Sequence, residues 1–233
     1  MHHMTRFGLL ACAMLAAAAA PASAHGATWT QPLAPCYVSV GPAPQQRQLA
    51  HIDADGFTPL APVDLIFDGA PADTNDDGSP NQVYADDRGH VSAQVRVPYQ
   101  TDGERGFTVT VSERANPASA LSATARVTAL AVQLKPAQAA PSRRVRFRGR
   151  GFTRPAAIWG HYVYRGKVRA TVRLARRPAG ACGTFSVRRR QIPVRKPHTG
   201  RWTLQVDQQR RYSVAPDSVF VRLDIDVRRV IGR

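Results

Sequence analysis

The sequence predicts an all-β protein in which one small antiparallel β-sandwich occurs twice. Two observations carry this reading. The tripeptide Gly56-Phe57-Thr58 returns as Gly151-Phe152-Thr153, one small domain further along the 233-residue chain. Each copy follows a run of alternating side-chain character and precedes a Pro-containing turn and a short apolar strand. The alternation itself is the second observation. A period of two with one apolar face means strands packed on one side and wet on the other.

The elements follow in order. Residues 1–24 have the form of a signal peptide: Arg6, an apolar Ala-rich run from Phe7 to Ala20, and the small-x-small site Ala22-Ser23-Ala24. Cleavage before His25 would export the chain, to the extracellular space or the cell envelope. No second long apolar run follows, so no transmembrane span is expected in the mature chain. Residues 25–128 form the first predicted sandwich. Val63, Leu65 and Phe67 share one face, as do Val91, Ala93, Val95 and Val97, and Phe107, Val109 and Val111. Turns are marked by Asp86-Asp87-Arg88-Gly89 and Thr101-Asp102-Gly103. Residues 129–233 form the second. Ala129 to Leu134 is its opening strand. Trp202, Leu204 and Val206 share one face, and Val219, Val221, Leu223, Ile225 and Val227 another. About seven strands per repeat fit a sandwich of two sheets. No Gly/Ser linker separates the halves, which predicts a stiff tandem.

The Gly-Phe-Thr turns are followed by Pro-Leu-Ala-Pro-Val (59–63) and Arg-Pro-Ala-Ala-Ile (154–158). An Asp-Asp-Arg-Gly-His-Val hairpin (86–91) precedes a strand ending in Val97-Pro98. In these features the chain resembles the immunoglobulin-like modules of secreted bacterial, especially actinobacterial, proteins. The resemblance implies two tandem immunoglobulin-like antiparallel β-sandwiches over nearly all of the mature chain. It also implies a spacer, an adhesive unit or a carbohydrate-binding accessory; the lack of a catalytic constellation separately argues against an enzyme.

Charge separates the halves. Residues 25–128 hold 6 Lys+Arg against 12 Asp+Glu, and residues 129–233 hold 25 against 4. The basic residues of the second half are mostly arginine, and they follow strand period. Arg144, Arg146, Arg148 and Arg150 alternate with Val145, Phe147 and Gly149. Lys167, Arg169 and Arg173 alternate with Val168, Ala170 and Val172. Arg188-Arg189-Arg190 and Arg195-Lys196 form a third cluster. Guanidinium forks suit phosphate and carboxylate, and a field of this size attracts polyanions. The expected partner of Arg144, Arg146, Arg148, Arg150, Lys167, Arg169, Arg173, Arg188, Arg190, Arg195 and Lys196 is an anionic envelope polymer or another polyanion. The alternative is an adhesive or protein-partner module whose charge is compositional, keeping exposed strands apart. The same imbalance would also let the acidic half dock on the basic half.

Other chemistry is sparse. Asp73, Asn75 and Asp77 open an Asp-x-Asn-x-Asp-Gly run with the spacing of a calcium loop, but the twelfth position is Tyr84 rather than a bidentate acid. An acidic turn between strands is the competing reading, and no other cofactor is expected. Cys182, His161 and Asp207 are conceivable as nucleophile, base and orienter, but no local motif supports the set. Trp159, Tyr162, Tyr164 and Trp202 are candidates for an aromatic sugar platform, with core packing the alternative for Trp202. Cys36 and Cys182 permit one disulfide, two free thiols or a bridge between chains; Cys36 also suits a buried apolar position.

Overall fold

The computed structural model describes residues 26–74, 80–215 and 219–228. Apart from one 3-10 turn at Pro44–Gln46, every regular element among them is a strand. The signal-peptide segment lies outside the described residues. The first sandwich contains β1 (Thr28–Trp29), β2 (Cys36–Ser39), β3 (Leu49–Asp55), β4 (Pro62–Phe67), β5 (Ala70–Pro71), β6 (Val83–Tyr84), β7 (Val91–Arg96), β8 (Glu104–Glu113) and β9 (Asn116–Ala129). The second contains β10 (Ala131–Lys135), β11 (Arg144–Arg150), β12 (Ile158–Tyr164), β13 (Lys167–Ala175), β14 (Phe185–Arg190), β15 (Gly200–Asp207) and β16 (Phe220–Val227).

Both sandwiches are immunoglobulin-like and share one plan. In the first, the sheet β1-β3-β7 faces the sheet β2-β9-β8-β4-β5; in the second, β10-β11-β14 faces β13-β12-β15-β16. All strand pairs are antiparallel except β2 with β9. The inward residues are those that period two selects. Val63, Val91, Val109 and Val111 are almost fully buried in the first core, and Phe147, Ile158, Tyr162, Trp202 and Leu204 in the second. The Trp202 indole N–H donates to the His198 carbonyl at 2.8 Å, which satisfies its one polar group.

The repeated Gly-Phe-Thr turns occupy matching places. Gly56 and Gly151 both have positive φ, 93° and 85°. Phe57 N–H donates to the Gly89 carbonyl and Phe152 N–H to the Gly183 carbonyl, each at 3.1 Å. Gly89 and Gly183 also have positive φ, and a Cβ on either would collide with the backbone carbonyl of Phe57 or Phe152. The turn Asp86–Gly89 is therefore the counterpart of Gly180–Gly183.

The junction is tight. β9 ends at Ala129 and β10 begins at Ala131, with Leu130 N–H donating to the Ser39 carbonyl at 3.1 Å. Cys36 on β2 is disulfide-bonded to Cys182 in the Gly180–Gly183 turn, both side chains buried. Alternation fails in β2, where Cys36, Tyr37, Val38 and Ser39 are all buried and Val40 is exposed. The reason is that both faces are covered. Tyr37 packs on Phe107 of the first core, while Cys36 reaches the second sandwich. Arg150 pairs with Asp102 across the junction.

Candidate polyanion-binding face

Strand pairing assembles the basic residues into rows. β11 lies at the centre of its sheet, and its odd positions Val145 and Phe147 are buried. Its even positions therefore face outward. Register then places Lys135, Arg146 and Arg188 side by side across the three strands, and sets Arg144 opposite Arg190. Arg148 sits between Gln133 and Ser186. Directly opposite residues lie about 4.5–5.5 Å apart at Cα, and like charges so placed repel. Arg144, Arg148, Arg188 and Arg190 are exposed, while Arg146 and Arg150 are partly covered. Beside Arg148 and Arg150 runs an open groove of about 530 Å³ whose lining includes Gln133, Thr184 and Ser186.

Among the described residues, no acid of the second sandwich pairs with these rows. Residues 129–206 contain no Asp or Glu. Among the described residues, the one ion pair on these rows is Arg150 with Asp102 of the first sandwich.

Lys167, Arg169 and Arg173 are also exposed, but on the other sheet. Arg173 stands opposite Trp159, on the outward side of β13 and β12. These rows therefore do not share one sheet face. Arg146 and Arg148 face away from one sheet, Arg169 and Arg173 away from the other. β13 and β14 are the neighbouring edge strands, so the two rows meet around that edge of the sandwich. Arg195 and Lys196, in the loop after β14, are exposed as well.

The remaining candidates fall elsewhere. Tyr162, Tyr164 and Trp202 are interior residues and form no sugar platform; only Trp159 is turned outward, with the Arg210 guanidinium 6.0 Å from its ring. Cys182 is consumed by the disulfide and is no partner for His161. His161 does meet Asp207, at 3.3 Å, the one contact of the conceivable set that the fold makes, within a wider network whose other members no local motif announces. Its Nε2 also faces the Gln209 carbonyl at 3.1 Å, so two acceptors require the proton on Nε2. Nδ1 contacts the Thr171 hydroxyl at 3.0 Å. The Gln205 amide donates to Asp207 and to the Ser213 carbonyl at 2.9 and 2.7 Å. These bonds hold the 208–213 segment over the outward face of the sheet, a structural task. Asn75 and Asp77 lie outside the described residues. Near Asp73, the Thr74 N–H and hydroxyl both donate to the Asn81 side-chain oxygen. Among the described residues no group of three or more His, Cys, Asp or Glu is placed to hold a metal ion. No helix among them is long and apolar enough to cross a membrane.

No protein-family model matches the chain, and no curated protein matches it. Solved structures similar to it include the N-terminal eight Ig domains of the Down Syndrome Cell Adhesion Molecule, at 12% identity and a TM-score of 0.31 over 86% of this chain and 24% of that one. The FN1-FN3 domains of chicken CNTN1 match at 8% identity and a TM-score of 0.26, over 87% of this chain and 65% of that one. A chimeric titin Z1Z2 tandem matches at 16% and 0.25, over 86% and 97%. The chain thus spans about a quarter of the adhesion-molecule structure. Likenesses at these identities and scores carry no argument about function.

Proposed function

We propose that this chain is an exported, non-enzymatic binding protein of the cell envelope or extracellular space, whose second sandwich attaches to an anionic polymer. One observation carries the reading: cations stand directly opposite cations across β10, β11 and β14, in a stretch of sequence without a single acid. A face that served solubility alone would intersperse the two signs. Each opposed pair costs folding free energy that a bound polyanion would return, with release of the polymer's counterions. The outward positions of this sheet carry no aromatic ring among the described residues. Base stacking is therefore not offered, which favours wall phosphate polymers or acidic polysaccharides over single-stranded nucleic acid. The acidic first sandwich, tied on by the disulfide, acts as the rigid mount.

The test is co-sedimentation of the mature protein with isolated anionic wall polymer and, in parallel, with a neutral polysaccharide. The reading requires retention on the anionic polymer alone, lost steeply as salt rises. Equal retention on both, or salt-insensitive binding, overturns it.

A further inference from the structure

Where the sandwiches meet, the chain leaves a cleft of about 510 Å³. Val38, Val40 and residues 45–48 form its wall on the first sandwich; Gly151, Thr153, Arg154, Gln208, Val219 and Phe220 form the wall on the second. Small-molecule sites have volumes of about 300–1,000 Å³ and are common at domain boundaries. The Cys36–Cys182 disulfide and the bond from Leu130 N–H to the Ser39 carbonyl fasten the two sandwiches to each other. The cleft is therefore formed before any ligand arrives.

Its polar groups are few and held in place. The Val38 N–H donates to Gln48 Oε1 at 3.0 Å. This fixes the amide and leaves Gln48 Nε2 a donor without a partner among the described residues. Gln208 Nε2 donates to the Arg154 carbonyl at 2.6 Å and to the Ala156 carbonyl at 3.2 Å. This leaves Gln208 Oε1 an acceptor without a partner among the described residues. Arg47 and Arg154 also line the cleft, and no described residue there is an acid. Arg47 Nη1 reaches the Val97 carbonyl at 3.5 Å, and its Nε is buried without a partner among the described residues. Arg154 is exposed, and no acid pairs with it among the described residues. Val40 and Val219 add exposed aliphatic surface.

This set of groups selects a ligand. Guanidinium groups without acids, beside a free amide N–H, suit an anion. The Gln208 oxygen suits a neutral donor such as a hydroxyl, because an ammonium group would meet two arginines and no acid. An extended peptide would need free backbone groups along a wall. Here the N–H groups of Val40, Gln46, Arg47 and Gln48 already donate to the carbonyls of Gln46, Ala43, Pro44 and Val38, and that of Gly151 to Cys182. We propose that the cleft binds a single sugar unit carrying a carboxylate or phosphate. Arg154 takes the anionic group, Gln48 Nε2 and Gln208 Oε1 take hydroxyls, and Val40 and Val219 pack on the C–H face of the ring. The site is separate from the arginine rows of β11 and β14, none of whose residues lines it.

The experiment is isothermal titration of the mature full-length chain, at fixed ionic strength, with glucuronate and with glucosyl phosphate. Glucose, inorganic phosphate and N-acetylglycine are the controls. At least one anionic sugar should bind about tenfold or more tighter than every control. Gln48→Glu keeps the oxygen that holds Val38 but sets a carboxylate against the anion, and should weaken binding about tenfold or more. Arg154→Gln should do the same, and both replacements are at exposed side chains that the fold tolerates. Replacing Arg146, Arg148, Arg188 and Arg190 by glutamine should leave sugar binding unchanged, which separates this site from polymer attachment. Absence of saturable binding at millimolar concentration overturns the proposal. So does a control that binds as tightly as the sugars, wild-type binding by Gln48→Glu and Arg154→Gln, or loss of sugar binding in the variant of the rows.

Discussion

The two sandwiches share a strand plan and differ in how they handle charge. In the first, cations are matched to acids: Arg105 with Asp68, Arg114 with Asp64, Arg126 with Glu104, and His90 between Asp53 and Asp55. In the second, cations face cations, and the acids are confined to residue 207 and beyond. Inward positions are nevertheless alike, apolar and buried in both. The lesson is that the inward half of each strand specifies this fold, which leaves the outward half free to carry an interaction. Surface pairs such as those of the first sandwich contribute little stability each. What the pairs do is leave no like-charged cations facing one another there among the described residues; the sandwich as a whole is net acidic.

The largest expected effect comes from cutting the bond between the halves. Replacing Cys36 and Cys182 by serine should cost about 2–5 kcal/mol, because the disulfide closes a long loop in the unfolded chain. Calorimetry should resolve the single transition into two. An unchanged single transition would mean that non-covalent contacts alone fuse the sandwiches.

The equivalence of the repeats is tested by Gly89→Ala and Gly183→Ala. Each replacement puts a Cβ against a backbone carbonyl at positive φ. Each should cost about 2–4 kcal/mol by denaturant unfolding, and by similar amounts. A tolerated Gly183→Ala beside a damaging Gly89→Ala would break the comparison.

A smaller effect of opposite sign is expected in the second core. The Tyr162 hydroxyl is buried without a hydrogen-bond partner among the described residues, and burial pushes its pKa up. Tyr162→Phe removes the unpaired group and should stabilise the protein by about 1 kcal/mol. Destabilisation would show that the hydroxyl is satisfied in solution.

The smallest effect concerns pH and belongs to the first sandwich. The hydrogen bond to Asp55, at 2.7 Å, is the main reason the His90 pKa lies above its ordinary value; burial opposes it, and the charges of Asp53, Asp55 and Asp86 add to it. A raised folded-state pKa means that this stabilisation is complete below about pH 6.5 and disappears as pH rises through the folded-state value. Wild type should therefore lose slightly more stability than His90→Gln between pH 6 and pH 8. An NMR titration placing the His90 midpoint at or below the ordinary value would contradict this.

Much of this was legible in the sequence, for local reasons. Period two reports which side of a strand is buried, so Trp202, Leu204 and Val206 and the arginines of β11 were sorted correctly. It fails where both faces are covered, as in β2, because covering from the second sandwich is a long-range event. The match of Gly89 to Gly183 escaped notice because their flanking residues differ. Their nearly constant offset from the Gly-Phe-Thr turns was the available signal. Pairing partners are not local either. Nothing in the run from 144 to 150 announces that Arg188 and Arg190 will lie across from it. The conceivable link of His161 to Asp207 is present while Cys182 is spent on the disulfide, and Thr171 and the Gln209 carbonyl are partners that no local pattern announces.

The contrast between the sandwiches is tested most directly by measuring polymer binding against salt for one quadruple and one triple variant of the full mature chain. One replaces Arg146, Arg148, Arg188 and Arg190 by glutamine, and the other replaces Arg105, Arg114 and Arg126. The first should remain folded, lose most of its affinity for anionic wall polymer at physiological salt, and show a slope of log K against log salt shallower by about 3. The second should bind as wild type does. Equal affinity and slope in wild type and both variants would contradict the account and leave the arginine rows without a role in binding.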